Sequence, residues 1–312
     1  MSEKKSLREA YGKTLADLGR EHEDIVVLDA DLAKSTKTEL FKKAFPERFF
    51  DMGISEADMI GTATGFASAG FKPFCSSFAM FLTGRVYDQI RNSIAYPHWN
   101  VKLVSTHAGI SVGEDGASHQ CIEDIALMRA VPGMTVLCPS DDVMTVSLTK
   151  KLYEYESFAY MRLPRNELDS LYEENDDFKI GKSVVHSIGK DITIIACGAM
   201  VSIAKKTLMR FKSMGIDAGL VDMYSLKPID EEVLRKVIKT SKGILTAEEH
   251  SVIGGLGCAV AQFASAEKPV MMDFLGIEDS FGESGTPENL FEKYNLTEEA
   301  ILKKGKILYD KL

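Results

Sequence analysis

The chain has 312 residues, of which 45% are hydrophobic and 27% charged, and a net charge of −9. Its length suits two α/β domains, no apolar stretch is long enough to span a membrane, and the negative charge argues against nucleic-acid binding. A small anionic substrate remains possible, because a few local arginines suffice to hold one phosphate.

The first half of the chain alternates apolar runs with helical patterns, which predicts a mainly parallel sheet with helices on both faces. The N-terminal segment is charged and lacks the apolar core of a signal peptide, which favours a cytoplasmic location. Strands are predicted at Ile25–Leu28, Phe49–Met52, Val101–Ser105, Met134–Leu137 and Phe158–Arg162. Helices are predicted at Leu7–Arg20, Glu56–Ala69, Phe78–Ala95, Ile122–Ala130 and Val143–Tyr155. These elements make up a first domain of residues 1–165.

An acidic stretch, NELDSLYEENDD (166–177), predicts a linker over residues 166–185. A second α/β domain follows over residues 186–312. Its predicted strands are Ile192–Cys197, Ala218–Asp222 and Gly243–Ala247, and its predicted helices are Val201–Met214, with Gly215 as C-cap, and Glu298–Tyr309. The glycines of SVIGGLGCAV (251–260) lack the full spacing of a dinucleotide-binding loop, which favours close packing at a helix start. The five cysteines show no metal-ligand spacing and are expected to be reduced and mostly buried.

Two segments of the first domain carry candidate side chains with ordinary alternatives. In GISEADMIGTATGF (53–66), Ser55 suits a helix N-cap, and Glu56 taken alone is a first-turn charge that the helix dipole favours. In SSFAMFLTGRVYDQIRNSI (76–94), Phe78, Phe81 and Tyr87 predict either an aromatic wall or part of the core.

The loop THAGISVGEDGASHQ (106–120) is the most informative segment. It holds two histidines, two adjacent carboxylates and three glycines, and it follows a predicted strand. Loops at the carboxyl ends of parallel strands are where α/β proteins bind ligands. A ligand site is therefore favoured over a solvated loop.

Taken in this order, the segments resemble the transketolase family. GISEA (53–57) is similar to the family's Gly-Ile-Arg-Glu-His block, and residues 106–120 to its Thr-His-Asp-Ser-Ile-Gly-x-Gly-Glu-Asp-Gly-Pro-Thr-His-Gln block. LTAEEHSVIGGLG (245–257) is similar to a stretch of the family's C-terminal domain. The resemblance covers essentially the whole chain and implies two doubly wound α/β domains, a pyrimidine-binding domain and a transketolase C-terminal-like domain. The chain departs from the family pattern at Ser55, Ala57 and Ala108, and at Gly84, where the family has a third aromatic residue.

The resemblance also implies site roles. Glu56 corresponds to the carboxylate that activates thiamine diphosphate by sharing a proton with its aminopyrimidine ring. Phe78 and Phe81 correspond to aromatic residues around that ring, and Asp31 to a residue near the cofactor. Substrate contacts are implied for His119 and Asp115 with sugar hydroxyls, for His107 near the substrate phosphate, and for Arg162, Arg8 and Ser35 with that phosphate. His107 and His119 join Glu56 as the implied catalytic residues. Arg162 has an ordinary alternative as a surface arginine paired with the acidic linker.

A full-length transketolase has a further domain, marked by Gly-Asp-Gly and a later Asn, that holds the diphosphate and its metal. That motif is not found in this sequence. The chain is therefore expected to be the C-terminal subunit of a two-chain transketolase, which transfers a two-carbon ketol unit between phosphorylated sugars. Its partner would be an N-terminal subunit carrying the diphosphate motif and a divalent metal, Mg²⁺ or Ca²⁺, in a heterotetramer of two of each chain.

Three other functions stay open on the sequence alone. The chain is also compatible with half of a deoxyxylulose-phosphate synthase-like enzyme or with the β chain of a 2-oxoacid dehydrogenase. A non-catalytic α/β module is disfavoured because Glu56, His107, Asp115 and His119 occur together, and a binding module has no need of a proton-sharing carboxylate.

Overall fold

A computed structural model of the chain describes residues 4–312. Its strands are β1 (Lys4–Lys5), β2 (Ile25–Asp29), β3 (Phe49–Asp51), β4 (Lys72–Phe78), β5 (Lys102–Thr106), β6 (Thr135–Leu137), β7 (Ala159–Arg162), β8 (Leu168–Asp169), β9 (Val184–Ser187), β10 (Ile192–Ala196), β11 (Ala218–Asp222), β12 (Ser225–Lys227), β13 (Gly243–Ser251) and β14 (Met271–Ile277). Its α-helices are α1 (Leu7–Glu21), α2 (Ala33–Thr36), α3 (Glu39–Ala44), α4 (Glu56–Ser68), α5 (Tyr87–Gln89), α6 (Asp124–Ala130), α7 (Asp142–Glu154), α8 (Met200–Ser213), α9 (Glu231–Thr240), α10 (Leu256–Glu267), α11 (Pro287–Lys293) and α12 (Glu298–Asp310). Within residues 4–312, no helix combines the length and the apolar character that crossing a membrane requires.

The first sheet has seven strands in the order β12-β6-β7-β5-β4-β2-β3, and all neighbours are parallel except β12 and β6. Its strand β2 is buried throughout, because its side chains alternate between two apolar layers. Ile25 and Val27 pack in the layer of α1 and α7, whereas Val26 and Leu28 pack in the layer of α4. Helices therefore cover both faces, which explains why a run of branched apolar residues forms this strand.

The second sheet has five strands in the order β14-β13-β10-β11-β9, parallel except for β9. Helices α8 and α12 pack on one face, and α9 and α10 on the other. The latter layer is continuous with the core of the first sheet, since Cys138 and Cys197 belong to the same apolar cluster. Strand β12 also comes from the second half of the chain but pairs in the first sheet. The predicted α/β class with mainly parallel sheets is confirmed.

The predicted helix at Phe78–Ala95 is confirmed only in part, since the helical segments start later than predicted and are interrupted. Phe78 ends the strand β4, which the sequence did not predict, and two π-helical segments, Met80–Gly84 and Ile90–Ala95, flank the short α5. The strand has the sequence KPFCSSF and lies buried between β2 and β5. Its proline and serines are not typical of a buried strand, so the sequence did not indicate it. Single-turn π-helices are rare and are frequently found at functional sites.

The glycines near residue 255 serve helix packing, as expected. Glu248 accepts hydrogen bonds from the N–H groups of Leu256 and Gly257 at 2.7 and 2.8 Å, at the start of α10. A side chain at Gly255 would collide with the Glu248 carboxylate. All five cysteines lie within residues 4–312, and four of them are buried, which confirms that the thiols are mostly buried.

Candidate active site

The predicted side chains gather at one edge of the first sheet. Strands β7, β5, β4, β2 and β3 are neighbours and parallel, so the loops after their carboxyl ends meet at the same edge. The residues that end or follow these strands are Arg162 for β7, His107 to His119 for β5, Phe78 and Phe81 for β4, Asp31 and Ser35 for β2, and Glu56 for β3. Arg8 comes to the same loops from the first turn of α1.

Glu56 is a buried carboxylate at the start of α4, with 2% of its residue surface exposed. Its Oε2 accepts a hydrogen bond from Arg85 Nη1 at 2.8 Å. Ser55 holds the N-cap position but makes no capping hydrogen bond through its side chain. A helix start favours a negative charge, and the nearby guanidinium adds to that effect.

Aromatic rings form a wall beside this carboxylate. The rings of Phe78 and Phe81 are 6.0 Å apart and nearly parallel, and His107 stacks on Phe78 at 3.7 Å. His119 meets Phe81 edge-on at 5.2 Å. Tyr87 is not in these stacks and packs against the core. Of the two alternatives for these aromatics, the structure supports a wall for Phe78 and Phe81 and core packing for Tyr87.

His107 is held as a neutral imidazole. It is buried, adopts a left-handed backbone with φ of 58°, and its Nδ1 hydrogen-bonds Thr106 Oγ1 at 2.8 Å. Burial, reinforced by Arg8 and Arg165, lowers the pKa of His107 to about 3. It therefore offers one ring nitrogen to a ligand without carrying a charge at neutral pH.

Two arginines form a basic group next to His107. Arg8 donates from Nη1 to the Ser35 carbonyl at 2.7 Å and from Nη2 to the Arg165 carbonyl at 2.9 Å. Its Nε is buried and has no hydrogen-bond partner among residues 4–312. Burial, and then the charge of Arg165, lower the pKa of Arg8, yet a guanidinium stays protonated at neutral pH. An anion placed here would relieve the repulsion between the two charges.

Arg165 is a site residue that the sequence analysis missed. Its Nη1 donates to the Val112 carbonyl and to Glu114 Oε2 at 3.0 Å, and 39% of its side chain is exposed. It lies after Pro164, beyond the end of β7, where no regular pattern indicates the direction of the side chain. The one available signal was a second arginine shortly after Arg162 in MRLPRNE.

Arg162 does not occupy the predicted position. Only 4% of the residue is exposed, and its Nε donates to the buried Asp124 Oδ2 at 2.8 Å. Its Nη atoms point to the Glu249 carbonyl of the second sheet at 3.3 to 3.4 Å. A buried carboxylate such as that of Asp124 is destabilising unless a cation is paired with it, and Arg162 supplies that cation in the interior. Arg162 therefore lies neither in a phosphate site nor beside the acidic linker, and the structure contradicts both the predicted phosphate contact and its alternative.

The loop after β5 is held by both halves of the chain. Ser111 N donates to Glu249 Oε1 at 2.7 Å, and Gln120 Nε2 donates to the Glu283 carbonyl at 2.9 Å. Gly109 has a φ of 81°, and a side chain there would collide with Glu249. This support fixes the loop at the mouth of the site, where the half-buried His119 lies against Phe81, and the exposed Asp115 belongs to the same loop. The predicted loop thus lies beside the aromatic wall.

Asp31 lies at the same edge, on the side of β3. Its backbone is left-handed, with φ of 63°, and its N–H donates to Asp51 Oδ1 at 3.1 Å. The carboxylate of Asp31 is exposed. Across residues 4–312, no three or more His, Cys, Asp or Glu side chains are grouped so as to hold a metal ion.

Comparison with known proteins agrees with this arrangement. Residues 3–170 match the family model "Transketolase, pyrimidine binding domain", and residues 181–301 match "Transketolase, C-terminal domain". A protein of Methanocaldococcus jannaschii, whose name describes a transketolase C-terminal section, is 47% identical over 96% of this chain and 95% of its own length. The 6-deoxy-6-sulfo-D-fructose transketolase subunit of Clostridium sp. (strain MSTE9) is 38% identical over 95% of this chain and 92% of its own.

Among solved structures, the inactive β4 tetramer of a split-gene transketolase superposes with a TM-score of 0.91. It is 48% identical and covers 98% of each chain. Both halves of the fold thus have a close counterpart. The chain belongs to the transketolase family.

Proposed function

We propose that this chain is the C-terminal subunit of a thiamine-diphosphate-dependent transketolase, active only with an N-terminal partner subunit. It would transfer a two-carbon ketol unit from a ketose phosphate to an aldose phosphate. The observation that carries the proposal is the buried Glu56, whose partner Arg85 lies over the ring of Phe81, at the strand edge that also holds the histidines and the basic group.

The residues present fit the pyrimidine end of this cofactor. Glu56 already binds a flat, positively charged donor, the guanidinium of Arg85, and that group lies 4.4 Å from the ring centre of Phe81. A protonated aminopyrimidine is also flat, and it offers N–H donors to a carboxylate and a face to an aromatic ring. The buried carboxylate and the aromatic wall therefore suit it in chemistry and in shape.

When bound, thiamine diphosphate supplies a nucleophilic carbon that adds to the ketose carbonyl and takes up the electron pair released as the neighbouring C–C bond breaks. Glu56 Oε2 would hold the proton at the cofactor's ring nitrogen, and burial keeps water from competing for it. Phe78 and Phe81 would fix the plane of the ring. The chain thus supplies proton control and orientation.

The other residues at the edge would bind the sugar. His119 and Asp115 stand at the mouth, where they can hydrogen-bond hydroxyl groups, and neutral His107 can do so without adding charge. Arg8 and Arg165, with Ser35 beside them, offer charge-assisted hydrogen bonds to a terminal phosphate. This basic group supports an anionic substrate. The sulfonated sugar in the name of the Clostridium relative is also an anion.

The diphosphate and its divalent metal, Mg²⁺ or Ca²⁺, would be held by the partner subunit in a heterotetramer of two of each chain. Support comes from relatives named as a section or a subunit, and from the split-gene structure, whose tetramer of β chains alone is described as inactive. These names also favour ketol transfer over a deoxyxylulose-phosphate synthase-like half or a 2-oxoacid dehydrogenase β chain.

Reconstitution tests this proposal. The purified chain alone is expected to be folded, to bind thiamine diphosphate very weakly and to show no ketol transfer. Adding the N-terminal subunit with Mg²⁺ should restore cofactor binding and ketol transfer. Calorimetry would measure the binding, and a coupled assay with xylulose 5-phosphate and ribose 5-phosphate would measure the transfer. Ketol transfer by the rigorously purified chain alone would contradict the two-chain proposal. Turnover of 2-oxo acids in place of ketoses would favour one of the alternatives.

A further inference from the structure

We propose that Arg85 occupies the place of the cofactor's aminopyrimidine on Glu56 and has to leave when the cofactor binds. Arg85 would then set how fast and how tightly the cofactor is bound. This inference rests on the proposed function, because it assigns the same carboxylate to the cofactor.

The contacts of Arg85 are those that the proposal gives to the aminopyrimidine. Its Nη1 donates to Glu56 Oε2 at 2.8 Å, and its Cζ lies 4.4 Å from the ring centre of Phe81. A carboxylate oxygen and one ring face are thus both in use. Two flat groups cannot lie on the same face of the Phe81 ring, so the guanidinium and a pyrimidine on that face exclude each other.

The side chain of Arg85 is free enough to leave. It is 48% exposed, whereas the Glu56 side chain is 2% exposed, so the arginine reaches from the solvent to a buried acid. Solvent screens the exposed end of this ion pair, so the guanidinium can move into water when another donor takes its place at Glu56. Arg85 directly follows the π-helical segment Met80–Gly84.

The pair also explains how a buried carboxylate is tolerated without cofactor. Removing a charge from water is unfavourable unless a counter-charge is present, and Arg85 supplies one to Glu56. The guanidinium therefore protects the free subunit and competes with the cofactor. An arginine that stayed on Glu56 in the assembled enzyme would instead help to hold the carboxylate, and its removal would weaken cofactor binding.

Calorimetry and stopped-flow binding of thiamine diphosphate to the complex with the N-terminal subunit distinguish these roles. Arg85→Ala should bind the cofactor about threefold to tenfold more tightly and associate faster, because no competing ion pair has to break. Loss of a positive charge would by itself weaken binding of an anionic diphosphate, so tighter binding is a specific result. Arg91→Ala is the matched control, since Arg91 is exposed six residues further along and its side chain bonds its neighbour Asn92 in the contacts described. That variant should leave the affinity unchanged.

Two further measurements keep the test decisive. Arg85→Gln removes the charge but keeps a donor for Glu56, and it should show the same direction of change if Arg85→Ala does not fold. The melting temperature of the free subunit should fall in Arg85→Ala and be restored in Arg85→Lys. Unchanged or weaker cofactor binding in both neutral variants would overturn the inference, whereas failure of the wild-type complex to bind the cofactor would overturn the proposed function instead.

Discussion

His107 and His119 lie in the same loop but differ in burial, and this difference suits them to different contacts with a substrate. His107 is buried against Phe78, and its pKa of about 3 leaves it neutral at every pH at which the protein would be assayed. His119 is half-buried and meets Phe81 only edge-on, so its outer face is open to a substrate. The exposed Asp115 belongs to the same loop.

We expect His119→Ala and Asp115→Ala to lower kcat/KM by about 10²- to 10³-fold, the usual effect of losing one positioned donor or acceptor. Cofactor affinity should stay near that of the wild type, because neither side chain contacts Glu56 in the structure. Steady-state kinetics and calorimetry on the assembled complex measure both quantities. Normal turnover with a large loss of cofactor affinity would assign the loop to the cofactor.

The two arginines of MRLPRNE should respond differently to substitution. Arg165→Ala should raise KM for phosphorylated sugars by about tenfold to a hundredfold, since a hydrogen bond to a charged group is worth about 1.5–3 kcal/mol. It should barely alter KM for unphosphorylated sugars. Arg162→Ala should instead cost about 3–5 kcal/mol of unfolding free energy, because Asp124 is left as an unpaired buried charge.

Kinetics with both classes of sugar and urea unfolding distinguish the pair. Equal effects of Arg165→Ala on the two substrate classes would remove this residue from a phosphate site. An Arg162→Ala variant of wild-type stability would show that the buried pair is not required for folding.

At the scale of single residues, the sequence could indicate which residue types occur at the candidate site and in what order, but not which side chains contact each other. Glu56 and His107 could be singled out because each follows a predicted strand and lies in a segment that resembles the family. The pairing of Glu56 with Arg85 was not, because the residues are 29 positions apart and a long arginine side chain can reach many places. The position of Arg165 could not be predicted for the same reason, because a long arginine side chain can reach many places.

Among the elements, the buried strands of branched apolar residues were predictable, and those with mixed composition were not. Strand β2, with the sequence IVVLD, and strand β10, with ITIIA, have the runs typical of buried parallel strands. Strand β4 contains proline, cysteine and serine, and only its neighbours in the sheet make it a strand. Tertiary pairing overrides local preference there.

A contact between elements of the two halves should respond to pH. Asp222 at the end of β11 is buried, and its Oδ2 accepts hydrogen bonds from Ser140, which follows β6, and from Tyr172 of the linker at 2.7 Å. Burial, with the charge of Asp141 adding to it, raises the pKa of Asp222 to about 7. A carboxyl group whose pKa is raised in the folded state stabilises the folded protein fully at pH values below its unfolded pKa, which is about 3.8 for Asp222. This stabilisation is lost as the pH rises through the folded pKa of about 7.

Asp222→Asn cannot lose a proton and should lack this loss. The unfolding free energy of the variant, minus that of the wild type, should therefore increase between pH 5 and pH 8. Urea unfolding at both values measures the difference, and the other buried carboxyls cancel because both proteins contain them. Parallel pH dependences would show that Asp222 is already ionised at pH 5.

At the scale of the whole molecule, the two sheets share one core and one site. Glu249 of β13 holds the loop after β5, Arg162 of β7 reaches back to Glu249, and β12 extends the first sheet. The second half thus positions the loop that carries His119 without contributing to the aromatic wall. These contacts predict that the isolated chain folds as one unit although half of its proposed active site lies on another chain.

We propose that Glu56 controls a proton on thiamine diphosphate in a two-chain enzyme. The most direct test is the exchange of the cofactor's C2 proton with deuterated water, followed by NMR in the assembled complex of wild type and Glu56→Gln. The glutamine keeps the size and a hydrogen-bonding group but cannot share the proton, so the variant should still assemble and bind cofactor while exchange and turnover fall by orders of magnitude. Exchange at the wild-type rate in Glu56→Gln would show that Glu56 is only a charge at a helix start and would contradict the account.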